Sequence, residues 1–166
     1  MNRSPTSETL ISGQFSIHAP EDQEPRPGCM RLSIELRGNI VDFLRQCLPH
    51  EGVGLLATIK TGSSLIAVRF YPGRNIDSSP RRYTMDPADV LLALADMKRE
   101  GTRLGAIVHS HPKTAPVPSW TDLGEARLPG VLSLIVGLSP VVELRAWHLV
   151  YDGDGVAIRS EEVPIA

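Results

Sequence analysis

The sequence has few cysteines, no long apolar run and no excess of either charge. Cys29 and Cys47 are the only cysteines, and neither lies in a CxxC spacing, so we expect neither a disulfide framework nor a cysteine-based zinc site. No segment is apolar for long enough to cross a bilayer, and the first residues lack the apolar core of a secretion signal. We therefore expect a soluble protein of the reducing cytoplasm.

The charge balance also argues against two classes of partner. The formal net charge is -2, and Lys and Arg are scattered along the chain rather than clustered. Such a chain has no broad positive field for nucleic acid or for an anionic membrane. We expect neither partner, and the sequence does not predict the oligomeric state.

Composition divides the chain into a tail and one domain. Residues 1–28 mix polar residues with several prolines and show little periodicity, which predicts a flexible N-terminal tail. Within that tail, Leu10–Ile17 could form a short strand. Residues 29–166 have the length and apolar content of one ordinary domain.

Periodicity in residues 29–166 predicts alternating strands and helices. Alternating or continuous apolar runs predict strands at residues 30–36, 53–59, 64–71, 104–108, 131–138, 142–151 and 156–159. Helical spacing predicts helices at residues 40–48, at 86–100 and over about ten residues from 119. The second helix should bury a stripe of Val90, Leu91, Leu94 and Met97. This order predicts an α/β fold with helices packed on a central mixed sheet.

A group of potential metal ligands follows the strand at residues 104–108. The strand runs into His109-Ser110-His111-Pro112, and its two imidazoles share one face because strand side chains repeat with a period of two. After a proline-rich loop, Ser119 is predicted as the N-cap of a helix that carries Asp122 in its first turn. Two His and one Asp leave a fourth tetrahedral position open, which is the ligand set of a catalytic rather than a structural zinc.

Each fragment of this pattern also has an ordinary structural explanation. Ser119 and Asp122 match a helix capping box, and the two histidines could be hydrogen-bonded side chains without a metal. The combination at this fixed spacing is what favours a metal site. Trp120 is predicted to pack the helix start against the core, with a place in the cleft as the alternative.

A hydrolytic zinc site also needs a proton carrier that is not a metal ligand. A carboxylate can accept a proton from water and deliver it to a leaving amine. Glu51 is a candidate because it lies where the first helix meets the first hairpin strand. Most glutamates in loops are solvated, however, and spacing alone does not select Glu51.

The stretches Pro49-His50-Glu51-Gly52-Val53-Gly54-Leu55-Leu56 and His109-Ser110-His111-Pro112, with Ser119 and Asp122, resemble the JAMM (MPN-plus) metallopeptidase family. The resemblance runs from about residue 30 to the end of the chain, and its signature is specific. It implies that His109, His111 and Asp122 bind one Zn²⁺ per chain, that Glu51 is the general acid/base and that Ser119 stabilises the oxyanion. The implied fold is a mixed, largely antiparallel curved β-sheet flanked by helices, of the cytidine-deaminase-like type.

The resemblance also implies a substrate. It points to a zinc-dependent peptidase or isopeptidase that cleaves at the C-terminal tail of a ubiquitin-like or sulfur-carrier protein. The short connections between predicted elements leave no room for the large insertions with which deubiquitinating members grip ubiquitin. We therefore expect a sulfur-carrier-like tail, which could bind along a sheet edge as an added strand.

Three other functions fit parts of the same pattern. A RadC-like protein has a similar HxHP and PSxxD signature, but this chain lacks a helix-hairpin-helix segment. A peptidoglycan or tail-assembly peptidase would normally carry a secretion signal or a cell-wall domain. A non-catalytic MPN scaffold would have lost its ligands, whereas every expected position is filled here.

Overall fold

The computed structural model describes residues 25–166, which contain seven strands and three helices. The strands are β1 (Cys29–Arg31), β2 (Val53–Thr61), β3 (Ser64–Gly73), β4 (Arg103–His111), β5 (Leu132–Gly137), β6 (Glu143–Tyr151) and β7 (Ala157–Val163). The helices are α1 (Ile34–Gln46), α2 (Pro87–Arg99) and α3 (Trp120–Glu125). The mixed sheet with flanking helices confirms the predicted fold class.

The strands form one sheet in the order β1-β3-β2-β4-β5-β6-β7. The β1–β3 and β4–β5 pairs are parallel, and the other neighbours are antiparallel. Edge strand β1 also pairs with the segment that follows edge strand β7, where Met30 bridges Ile165: the Met30 N–H donates to the Pro164 carbonyl, and the Ala166 N–H donates to the Met30 carbonyl. The sheet is therefore curled until its two edges pair with each other.

Helix α1 covers one face of this sheet and begins earlier than predicted. The Ser33 hydroxyl accepts the Leu36 N–H at 3.1 Å, so the chain turns into a helix where apolar alternation predicted that the strand would continue. Ile40, Val41 and Leu44 are buried against the sheet. The prediction of an extended segment to residue 36 was wrong because this N-cap overrides the alternation.

Helix α2 packs on the other face. Asp86 caps it by accepting the Ala88 N–H at 2.9 Å, as predicted. The predicted stripe is only partly correct, because Ala93 and Met97 are buried whereas Leu91 and Leu94 are exposed. The small Ala93 side chain lets this face of the helix lie close to β2.

Helix α3 is shorter than predicted and leaves its first side chain in solvent. It spans Trp120–Glu125, and Ala126 is already extended, with φ -64° and ψ 132°. Leu123 and Ala126 pack against the apolar cluster around Ile135 on β5. Trp120 is 89% exposed, so the prediction that it packs against the core was wrong.

The predicted N-terminal tail lies almost entirely outside the described residues. The flexibility of residues 1–24, the possible strand at Leu10–Ile17 and the domain boundary near residue 29 therefore stay predictions. Within residues 25–166, Arg26 donates from Nη1 to the Glu162 carbonyl at 2.6 Å. No helix in that part of the chain is long and apolar enough to span a membrane.

Candidate metal centre

Strand β4 and helix α3 bring the predicted ligands to one end of the sheet. His109 pairs with Val53 of β2 on one side and with Ile135 of β5 on the other, so β4 is fixed in the middle of the sheet. The predicted capping box is present: the Ser119 N–H donates to Asp122 Oδ2 at 2.6 Å, and the Asp122 N–H donates to Ser119 Oγ at 3.1 Å. The hydrogen bonds that cap α3 therefore also orient the Asp122 carboxylate.

His109, His111 and Asp122 converge at distances that suit a tetrahedral ion. The two Nε2 atoms are 3.2 Å apart, His109 Nε2 lies 3.2 Å from Asp122 Oδ1, and His111 Nε2 lies 3.4 Å from Asp122 Oδ2. A tetrahedral Zn²⁺ with bonds of about 2.0–2.1 Å separates its ligand atoms by about 3.3–3.5 Å. The three side chains therefore fit the predicted metal without rearrangement.

The hydrogen bonds of His111 fix the ring nitrogen that faces the other ligands. His111 Nδ1 lies 2.8 Å from the carbonyl of Ala115, which can only accept, so Nδ1 carries the proton. In the neutral ring, Nε2 is then unprotonated, and its lone pair is directed at His109 and Asp122. This is the tautomer that binds a metal through Nε2.

The loop that holds His111 is itself anchored from β6. The indole Nε1 of Trp147 donates to the Pro116 carbonyl at 2.8 Å in a buried hydrogen bond. Gly137 lies under the same loop, where an added Cβ would be 3.0 Å from Pro116 Cδ. Trp147 and Gly137 were not predicted from the sequence, because their contact with the loop joins distant parts of the chain.

His109 is completely buried, and the aromatic ring of Tyr83 lies 4.7 Å from its ring centroid. Burial lowers the pKa of His109, which favours the neutral imidazole that a metal needs. Burial alone would raise the pKa of Asp122, but hydrogen bonds with the two histidines and Ser119 hold it well below its usual value. Asp122 is therefore a carboxylate in this site. The pKa of Tyr83 is raised by burial and then by the carboxylates of Asp122 and Glu51, so its phenol stays protonated.

Glu51 lies beside this group. Residues 53 and 109 are paired, and continuing the antiparallel register by two residues places Glu51 opposite His111. Glu51 is only 5% exposed, and its Oε2 has no hydrogen-bond partner among residues 25–166. Burial, with a further contribution from Asp122, raises the pKa of Glu51 to about 7, against an opposing effect of His111. The predicted proton carrier is thus a buried carboxyl rather than a solvated loop residue.

Three further residues hold the backbone around Glu51. The Gly52 N–H donates to the Ser110 hydroxyl at 2.8 Å, and the Ser110 N–H donates to the Gly52 carbonyl at 3.0 Å. Asn75 Nδ2 donates to the Glu51 carbonyl at 3.0 Å, and the Glu51 N–H donates to the Ser79 carbonyl at 2.8 Å. Ser110 stands out in the sequence by its position between the two histidines.

A cleft of about 460 Å³ opens at this group. Its lining includes Glu51, His111 and Ser119 together with Lys113 and Thr114 of the proline-rich loop. The Ser119 hydroxyl accepts from the Asp122 N–H, so its own proton remains available to a group in the cleft. The cleft therefore brings a carboxyl, a hydroxyl and an imidazole to one opening.

Comparison with known sequences places the chain among a group of small bacterial and archaeal proteins. The profile described as "Prokaryotic homologs of the JAB domain" matches residues 33–150. A "Probable TtuB-protein conjugate cleaving protease" of Thermus thermophilus is 44% identical over 80 residues, which cover 48% of this chain and 51% of that protein. The chain thus spans about half the length of this relative.

Two archaeal relatives are both named "Desampylase". The protein of Haloferax volcanii is 31% identical over 111 residues, covering 64% of this chain and 78% of its own length. The protein of Pyrococcus furiosus is 40% identical over 86 residues, covering 51% of this chain and 58% of its own length.

Solved structures agree with the fold. A solution structure from Desulfitobacterium hafniense has a TM-score of 0.71 at 29% identity and covers 82% of this chain and 91% of that one. A solution structure from Salinibacter ruber has a TM-score of 0.60 at 25% identity, with coverages of 83% and 91%. The resemblance predicted from the HxHP and SxxD motifs is confirmed, and the chain belongs to the prokaryotic family of JAB (MPN-like) domains.

Proposed function

We propose that this protein is a zinc-dependent peptidase or isopeptidase that releases a ubiquitin-like or sulfur-carrier protein from the group attached to its C-terminal tail. One observation carries the proposal. A buried carboxyl with a pKa near 7 faces the same cleft as a His-His-Asp group whose ligand atoms lie at tetrahedral spacing. A structural metal site needs no such proton carrier beside it.

His109, His111 and Asp122 would hold the ion. When bound, Zn²⁺ supplies a Lewis acid that polarises the scissile carbonyl and makes water a stronger acid. Glu51 accepts a proton from the attacking water and delivers it to the departing nitrogen as the C–N bond breaks. The Ser119 hydroxyl donates to the carbonyl oxygen as that oxygen gains charge, a contact of a kind worth about 3–4 kcal/mol. Water thus supplies the new carboxylate oxygen and the proton of the released amine.

The relatives suggest the class of substrate. One is named for cleaving TtuB-protein conjugates, and two are named desampylases. A cleft at the end of the sheet suits an extended protein tail, which could lie along the Glu51 carboxyl and the Ser119 hydroxyl. These features support a protein conjugate as the substrate over a small molecule.

The test is a cleavage assay with zinc-loaded protein. TtuB, or another sulfur-carrier protein, would be extended past its terminal Gly-Gly either by a peptide or by an isopeptide-linked lysine, and the products read by mass spectrometry. We expect release of the carrier with a free Gly-Gly carboxylate. If every conjugate of both types stays intact, the proposed substrate class is wrong.

The variant E51Q tests the role of Glu51. It keeps the shape of the side chain but cannot carry the proton, so we expect cleavage to fall about 100- to 10,000-fold while one zinc per chain is retained. The exposed Glu35 on α1 provides the matched control E35Q, which should cleave normally. Full activity in E51Q would assign the proton transfer to another group.

The same measurements distinguish the enzyme from a non-catalytic scaffold. A scaffold would bind the conjugate without cleaving it, and wild type and E51Q would then behave alike. The filled ligand set and the buried Glu51 favour the enzyme.

A further inference from the structure

Trp120 leaves almost its whole side chain in solvent beside the candidate cleft. It is 89% exposed, although its neighbours Ser119 and Thr121 both line the cleft. The Ser119–Asp122 capping box fixes the backbone at this point, so the position of Trp120 at the cleft is set by the helix start. The fold gains little from an unburied indole, and exposed tryptophans at functional surfaces are typical anchors for a protein partner.

Two cations line the same cleft, and a second exposed apolar side chain precedes Trp120 in the chain. Arg81 and Lys113 line the cleft, and within residues 25–166 neither charged group makes a hydrogen bond or an ion pair. Val117, on the proline-rich loop before Trp120, is 43% exposed. We call Arg81, Lys113, Val117 and Trp120 the cleft rim.

We propose that the cleft rim is the recognition surface for the folded part of the substrate protein, beyond the tail that enters the cleft. The partner would present an apolar side chain to Trp120 and carboxylates to Arg81 and Lys113. This inference rests on the proposed function and adds the chemistry of the partner to it.

Composition and position support a protein as the occupant. Trp and Arg are enriched at the centre of protein interfaces, as Trp120 and Arg81 would be here, and Lys113 suits the more polar border of such an interface. The indole is not part of the cleft lining, so a short tail confined to the cleft would leave it in solvent. A partner that extends beyond the cleft can cover it.

The kinetic test compares W120A with I34A. Ile34 is 91% exposed at the first residue of α1 and does not line the cleft, so I34A is a matched loss of an exposed apolar side chain. With a zinc-loaded enzyme and a carrier protein extended past Gly-Gly, we expect W120A to raise KM roughly 10- to 30-fold and I34A to leave it unchanged. The ratio of KM values should shrink when the carrier is replaced by a short peptide that ends in the same tail.

A binding test keeps this inference separate from the proposed catalysis. In zinc-loaded E51Q the uncleaved conjugate should shift the tryptophan emission to shorter wavelength, because Trp120 becomes buried while Trp147 is buried already. The double variant E51Q/W120F should show no such shift.

The possible outcomes are distinct. If wild type cleaves the conjugate while W120A and I34A have the same KM, the cleft rim is not the recognition surface and the proposed function stands. If wild type cleaves nothing, the proposed function fails, and the fluorescence titration alone decides whether the rim binds the partner. An unchanged emission in E51Q would overturn the inference.

Discussion

The hydrogen bond between Trp147 and the proline-rich loop gives a prediction that links stability to metal binding. Trp147 is 8% exposed, and its Nε1–H donates to the Pro116 carbonyl at 2.8 Å. The variant W147F keeps an aromatic ring but removes this donor. A buried carbonyl left without a partner costs about 1–3 kcal/mol, so we expect the free energy of unfolding to fall by about that amount in metal-free protein.

The same change should weaken zinc binding. The loop carbonyl of Ala115 accepts from His111 Nδ1, and loss of the Trp147 bond lets that carbonyl move. Removing a direct partner of a metal-binding histidine costs about 10–100-fold in affinity. Trp147 acts one step further away, so we expect a fall of about 3- to 10-fold in W147F, measured by competition with a chromophoric chelator.

The exposed Trp120 provides the control for this experiment. W120F makes the same chemical change without removing a buried hydrogen bond, so its stability in urea and its zinc affinity should match those of wild type. If W147F is destabilised but binds zinc as tightly as wild type, the reasoning is refuted, because the loop would then be held in place by its other contacts.

Three further predictions follow from single side chains. D122N removes the anionic ligand, so zinc affinity should fall at least about 100-fold in the chelator assay. G54A introduces a Cβ 2.4 Å from Phe70 Cε2 and 2.6 Å from the Tyr71 carbonyl oxygen. The free energy of unfolding measured in urea should therefore fall by about 1–3 kcal/mol. An unchanged value would mean that both the ring and the β3 backbone move away without cost. Burial lowers the pKa of His148 in the folded protein, so below about pH 6.5 the unfolded chain binds a proton at this residue more readily than the folded protein does. The free energy of unfolding of wild type, measured relative to that of H148Q, should therefore fall as the pH drops from 6.5 to 5.

The convergence of His109, His111 and Asp122 could be predicted because its determinants are local. The two histidines share a face through the period of a single strand, and Ser119 with Asp122 form a capping box within one helical turn. Short-range rules of this kind can be read from spacing alone. Selecting Glu51 needed the family resemblance as well, because its burial results from contacts that adjacent residues do not reveal.

The supports of the site could not be predicted, because they join residues far apart in the chain. Ser110 and Gly52 are 58 positions apart, Asn75 and the Glu51 carbonyl are 24 apart, and Trp147 and Pro116 are 31 apart. No periodicity in one segment encodes such a pairing. The length of α3 was overestimated because its end depends on contacts outside the apolar pattern: the Arg127 guanidinium donates to the carbonyls of Gly124 and Ala126, and Ala126 packs against the cluster around Ile135.

The pairing of the sheet edges at Met30 and Ile165 has a consequence for how the chain is made. Met30 is fully buried in the core beneath α1, yet its backbone partners lie at residues 164–166. During synthesis on the ribosome, β1 cannot acquire these partners until the last of those residues has emerged. Pairing across such a large sequence separation is slow to nucleate. We therefore expect β1 to complete its pairing late in folding, and until then the apolar side chains around Met30 are where a chaperone would find exposed surface.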